Sequence, residues 1–186
     1  MKKPEDSPEE AKYTKASHRP NRVHPIVSIV GNSGVGKTTL IEKLIPEFTA
    51  RGFRVGTIKH DVHGFQMDKP GKDSWRHKQA GASTAIISSP HQIGMVMDVD
   101  YDHPPAELVH LLSNTDIVLL EGYKRAKNPK IEIFRPEVHA EPVCANDEYL
   151  IAVVSNAPAK MGAEQFSLDD IKGLAEFILK YFHLFP

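Results

Sequence analysis

The sequence predicts a three-layer α/β fold with a mainly parallel sheet and one antiparallel β excursion, and three observations carry that expectation. Short β-branched runs alternate along the chain with amphipathic helical stretches, the pattern of helices laid over a parallel sheet. The glycine-rich stretch "GNSGVGKT" at 31–38 joins the first run to the first helix, the phosphate-binding turn of the P-loop NTPase class. Between residues 84 and 99 two apolar runs flank "SSPHQ", which reads as a hairpin outside the parallel pattern.

Residues 1–24 alternate Lys, Glu, Pro and Ser with almost nothing to bury, so they read as a flexible tail ahead of a nucleotide-binding domain over 25–186. Ile26 to Val30 is a buried parallel strand. The helix that follows carries Leu40, Ile41, Leu44, Ile45 and Phe48 on one face; Pro46 is expected to kink or end it, and Gly52 to stop it. Phe53 to Ile58 reads as a second strand, and Asp73 or Ser74 as the cap of a short helix closed by Gly81. A helix beginning at Pro104 places Leu108, Val109, Leu111 and Leu112. "DIVLL" at 116–120 is another buried strand, 149–154 the last one, and 168–182 a final amphipathic helix. Residues 130–135 are expected, with the 84–99 hairpin, to add strands beyond the core sheet.

The formal net charge of −1 gives no global field toward nucleic acid or a membrane surface. Charge is uneven locally, with seven Lys/Arg against three Asp over 51–81 and five against one Glu over 122–136. The single cysteine, Cys144, excludes an intramolecular disulfide or a cysteine zinc site. The charged N-terminus and the lack of a long apolar run give a cytoplasmic protein without a membrane span as the expectation.

Gly31, Asn32, Ser33, Gly34, Val35, Gly36, Lys37 and Thr38 fit the phosphate-binding pattern G-x-x-x-x-G-K-[ST], and Thr39 continues into the helix. The glycines let the backbone aim several N–H groups at phosphates. Lys37 supplies a point charge, and Thr38 a hydroxyl for Mg²⁺. A magnesium-bound triphosphate calls for an acidic group at the end of a neighbouring strand. Glu121 ends "DIVLL" in that role, and Gly122 lets the backbone come close to a phosphate. Asp116, at the strand's other end, reads as structural. Ligands of parallel α/β sheets bind beyond the carboxyl ends of the strands. That edge collects the glycine-rich loop, the stretch "KHDVHGFQMDKPGKDSW" and "EGYKRAKNPK". Asp61 is then expected to reach the magnesium. Lys59, His60, His63, Lys69, Lys72 and Lys124 are expected to face anionic groups, and Asp73 to cap a helix pointing at one. A triphosphate alone does not need so many basic groups, so the part of this loop with Lys69 and Lys72 is read in two ways that stay open: as the site of a second phosphorylated ligand, or as a mobile switch loop that only senses the nucleotide.

"GNSGVGKTTLIEKLIP", "RGFRVGTIKHDVHGFQMDKPGKDSWRHKQAGA" and "DIVLLEGYKRAKNPKIEIFR" together resemble the molybdopterin-guanine dinucleotide biosynthesis adapter family, MobB. The resemblance implies a GTP-binding protein with weak GTPase activity in molybdenum cofactor biosynthesis. Its implied partner is the molybdenum cofactor guanylyltransferase, which attaches GMP to molybdopterin, with molybdopterin-transferring proteins as further partners. It also implies a homodimer formed through β-structure, Mg²⁺ as cofactor, and molybdopterin or its guanine dinucleotide as the second ligand. The usual guanine-reading Asn-Lys-x-Asp is missing: "VVSNAP" offers Ser155 and Asn156 instead, so guanine preference rests on the resemblance, with Asn156 the residue placed to touch the base. Two other readings remain open from the residues. A metallochaperone GTPase would use His60, Asp61 and His63 on a divalent metal. A P-loop small-molecule kinase would use Asp61 as base.

Overall fold

The computed structural model describes residues 24–112 and 114–185, so all but the last residue of the expected tail lies outside the described residues. The chain divides into two compact units, one running to Lys59 and resuming at Pro105, the other His60–Pro104.

The first unit is built on six parallel strands. They are β1 (Ile26–Val30), β2 (Val55–Lys59), β5 (Ile117–Glu121), β6 (Lys130–Ile133), β7 (Leu150–Val154) and β8 (Glu164–Phe166), in the order β2-β5-β1-β6-β7-β8. β1 lies at the centre with Ile29 opposite Glu121 and Val30 opposite Glu132. Side chains alternate across the sheet, and its two faces differ in kind. On one face Val27, Ile29, Leu119, Ile131 and Ile133 meet Leu40, Leu44 and Phe48 of α1 (Lys37–Ala50) and Leu174, Ala175 and Ile178 of α4 (Ile171–Tyr181). The other face holds a smaller cluster of Val109, Val118 and Leu120, beside buried Ser28, Lys130 and Glu132.

Loops cover those polar groups and satisfy them. Asn128 Nδ2 donates to Ser28 Oγ at 2.9 Å. Glu132 accepts the backbone N–H groups of Val143 and Cys144 at 2.5 and 2.7 Å. Lys130 is 2% exposed, pairs with Asp147 at 2.7 Å and lies 5.1 Å from the centroid of the Tyr149 ring, a cation–π distance. Burial works against the Asp147 carboxylate, but the Lys130 hydrogen bond, the Tyr149 N–H and the lysine charge together hold its pKa below the ordinary value. Burial pushes the Cys144 thiol up to about 11.

Several expectations change. The segment 130–135 does not add a strand outside the core sheet, because β6 lies inside it between β1 and β7. Pro46 neither ends α1 nor marks its limit, since the helix runs to Ala50. The proline forfeits one donor, yet Leu44 and Phe48 on either side are fully buried, and that packing outweighs the missing bond. The helix expected from Pro104 is a four-residue α3 (Pro105–Leu108) followed by a 3-10 turn over Val109–Leu111. Only Val109 of its apolar set is buried, and Leu111 is exposed, too little apolar contact to propagate a longer helix. β8, three residues long, has no counterpart in the sequence reading.

The second unit contains α2 (Asp73–Gln79) and an antiparallel pair, β3 (Thr84–Ser88) and β4 (Ile93–Met97). Lys78 ties its parts together by donating to the carbonyls of Ala82 and Ser83 and pairing with Asp98 at 2.7 Å. Neither Asp73 nor Ser74 caps α2. The cap position is Lys72, in extended conformation and with no side-chain bond, while Asp73 is the first helical residue. There its charge still opposes the positive end of the helix, 4.0 Å from Arg76.

Candidate functional site

The glycine-rich loop leaves β1 at its carboxyl end and enters α1. Gly31, Gly34 and Gly36 have φ of 141°, 77° and 102°, values that L side chains rarely adopt. Gly31 is constrained twice, since a Cβ there would lie 2.6 Å from the Ile133 carbonyl oxygen. Val35, 2% exposed, anchors the loop in the core. Gly36 caps α1 without a side-chain bond, so backbone N–H groups of the first turn remain for another acceptor. Such a helix start suits an oxyanion.

Lys37 donates from Nζ to the carbonyls of Gly31 and Asn32 at 3.3 and 2.8 Å, which folds its side chain back over the loop. Thr38 Oγ1 donates to Glu121 Oε1 at 2.9 Å, and Lys59 Nζ stands 3.9 Å from the same oxygen. Ends of three strands thus meet around one carboxylate, as the register of Glu121 with Ile29 and with Lys59 requires. Burial lowers the Lys37 pKa; Glu121 opposes the shift, and Lys124 and Lys59 add to it. Lys59 and Lys124 thus add positive charge near Lys37 that Glu121 alone offsets, and an anionic ligand would balance it. Thr38 and Glu121 are oxygen donors of the kind Mg²⁺ takes, so these residues fit the implied ion.

Beyond Glu121 the chain turns through two consecutive left-handed residues, Gly122 (φ 96°) and Tyr123 (φ 54°). The Gly122 N–H bonds the Ile29 carbonyl at 3.1 Å. A non-glycine residue in that region is held by its surroundings, here by packing of Tyr123 on the Val109, Val118 and Leu120 cluster. Lys124 follows, exposed. At the end of β7, Asn156 Oδ1 accepts the Leu168 N–H at 2.9 Å, so its carbonyl is engaged within the fold. Ser155 Oγ accepts the Ala157 N–H at 3.1 Å. As expected for a structural residue, Asp116 pairs with Arg54 at 3.0 Å, far along β5 from Glu121.

The remaining expected residues belong to the second unit. His60 Nε2 lies 3.0 Å from both Asp102 carboxylate oxygens. Asp61 Oδ1 accepts the His63 N–H at 2.9 Å, an Asx turn. Lys69 and Lys72 are exposed and have no ion-pair partner among the described residues. No group of three or more His, Cys, Asp or Glu among the described residues could hold a metal ion, so nothing geometric favours the metallochaperone reading.

Sequence reasoning missed the segment after β6. His139 Nε2 lies 3.0 Å from the Ser33 carbonyl, and Asn32 Nδ2 donates to the Glu141 carbonyl at 3.2 Å. Neither residue stands in a motif, and the sheet order alone brings them to the loop.

A family model described as molybdopterin guanine dinucleotide synthesis protein B matches residues 26–156. The molybdopterin-guanine dinucleotide biosynthesis adapter protein of Haemophilus influenzae is 40% identical over 170 residues, covering 89% of this chain and 93% of that protein. Its Escherichia coli namesake is 36% identical over 163 residues, with 84% and 93% covered. A crystal structure of molybdopterin-guanine biosynthesis protein B superimposes with a TM-score of 0.65 at 30% identity, covering 85% of this chain and 99% of that one. For Bacillus subtilis MobB the TM-score is 0.67 at 26% identity, with 84% and 96% covered. A six-stranded parallel sheet, a glycine-rich turn into a lysine-led helix and these likenesses converge: the chain belongs to the MobB family, whose relatives are molybdopterin-guanine dinucleotide biosynthesis adapter proteins.

Proposed function

We propose that this protein is a GTP-binding adapter with weak GTPase activity that assists the attachment of GMP to molybdopterin. The single observation that carries the nucleotide reading is the convergence of Lys37, Thr38, Lys59 and Glu121 at the glycine-rich turn. In this reading the backbone N–H groups of Gly34 to Thr38 and the Lys37 ammonium hold the phosphates. Thr38 and Glu121 serve Mg²⁺, directly or through water, and Lys59 and Lys124 balance charge. No water-positioning glutamine or finger arginine can be assigned from the sequence, and such groups are worth factors of about 10³–10⁵, so slow turnover is expected. Guanine is proposed as the base on the family resemblance alone. Calorimetric titration of the purified protein with GTP and ATP in the presence of Mg²⁺ tests the reading: GTP binds with Mg²⁺-dependent affinity, and absence of binding by either nucleotide refutes it.

The partners proposed are those that the resemblance to the family implies, and the second unit offers surfaces for some of them. The guanylyltransferase that forms molybdopterin-guanine dinucleotide is the protein partner, with molybdopterin-transferring proteins beside it. Molybdopterin or its dinucleotide is assigned to exposed Lys69 and Lys72. A second copy of the chain is assigned to the β3–β4 hairpin, where Ile86, Ile93 and Met97 are 61%, 74% and 44% exposed. A two-stranded sheet is marginal alone in water, and burial of this face in a homodimer supplies what it lacks.

A further inference from the structure

We infer that His139 is a positioning residue for the glycine-rich loop: its ring N–H holds the Ser33 carbonyl and thereby orients the Gly34 N–H toward a bound phosphate. The inference rests on the phosphate-binding reading above and assigns a role that no sequence motif marks. A carbonyl oxygen only accepts, so at 3.0 Å the Nε2 atom carries the proton. In a planar trans peptide the carbonyl and the following N–H point in opposite directions. A bond that draws the Ser33 oxygen outward to His139 therefore turns the Gly34 N–H the other way, into the loop.

Gly34 has no side chain to hold the peptide: its φ is 77°, and a Cβ built there would meet nothing within 4 Å, so no packing on that side fixes the residue. The restraint comes from the chain leaving β6, which touches three successive loop residues. The Ile133 carbonyl lies so close to Gly31 that a Cβ there would come within 2.6 Å of it, the Glu141 carbonyl accepts from Asn32, and His139 donates to the Ser33 carbonyl. That chain is itself fixed. The Phe134 N–H bonds the Val154 carbonyl, the Val138 and His139 N–H groups both bond the Arg135 carbonyl, and Arg135 pairs with Glu137 at 2.8 Å. The imidazole is thus presented by a closed turn rooted in the sheet. The loop enters binding with a donor already aimed, and the ordering cost falls on folding rather than on association.

Calorimetry on the full-length protein with GTP and with GDP tests this, alongside the melting midpoint measured without nucleotide. His139→Ala weakens both nucleotides by about three- to tenfold, the scale of one positioned hydrogen bond, and leaves the nucleotide-free midpoint unchanged. His139→Gln, whose amide reaches the same carbonyl as a donor, recovers most of the loss. Wild-type affinity in His139→Ala overturns the inference. So does an affinity loss that falls with the melting midpoint and that His139→Gln fails to recover, since the residue would then only support the fold. If the wild-type protein binds neither nucleotide, the phosphate-binding reading itself fails and takes this role with it.

Discussion

The two units bury their chemistry in opposite ways. In the first, every residue of β6 is buried although two of its four are charged, and each charge has a partner within the fold. In the second, β3 and β4 are short and uncharged, yet Ile86, Ile87 and Ile93 are more than half exposed. In these three strands, therefore, apolar character does not by itself mark the interior, nor charge the surface. A core position is defined by what the neighbouring chain offers. Lys130 can be interior because Asp147 and Tyr149 are carried to it, whereas Ile86 is left more than half exposed.

Four variants sharpen or break that contrast. Asp147→Ala leaves the Lys130 ammonium buried and unpaired and is expected to cost about 3–5 kcal/mol in a urea titration; a loss under about 1 kcal/mol would show that the pair is not part of the framework. Lys37→Ala, at the rim of the same unit, removes a charge-assisted contact worth about 1.5–3 kcal/mol, read as GTP affinity falling by roughly ten- to a hundredfold with little change in melting. Full retention of affinity would remove Lys37 from the phosphate site. In the second unit, Lys69→Ala with Lys72→Ala is expected to weaken molybdopterin-guanine dinucleotide binding several-fold while GTP affinity stays as it was. Unchanged affinity for both ends the second-ligand assignment. The smallest effect belongs to Ile86→Ala, within about 0.5 kcal/mol for a surface position in a dilute monomer. If sedimentation at micromolar concentration shows a dimer, the same change weakens it; a stable wild-type monomer excludes the homodimer.

The parts legible in the sequence were those written locally. β1, the glycine-rich turn, α1 and the Glu121 strand each carry a continuous signal: an apolar run, a fixed spacing or a helical face. What escaped was decided elsewhere in the chain. Lys130 and Glu132 made β6 look peripheral, and only Asp147 and the 143–144 backbone, brought in from a later loop, make it interior. Pro46 looked like a stop because propensity was weighed without the burial of Leu44 and Phe48. Asp73 looked like a cap because aspartate so often is one, yet the helix starts one residue earlier. The short β8, which brings a sixth strand to the sheet, is announced by no periodicity. Three residues cannot display a period.

The strand order also bears on how the protein is made. β1 emerges from the ribosome early, but its two neighbours in the sheet are β5 and β6, neither of which exists until synthesis has passed residue 117. Domains tend to fold as units during translation, and contacts between distant residues close slowly because the intervening chain must first be gathered. Throughout that interval the apolar Ile26–Val30 segment has no permanent pairing partner, and the turn that follows it has no β6 exit to hold it. The nascent chain is most vulnerable to misassociation while the His60–Pro104 segment is being added, and a truncated product ending inside that segment should depend on chaperones for solubility.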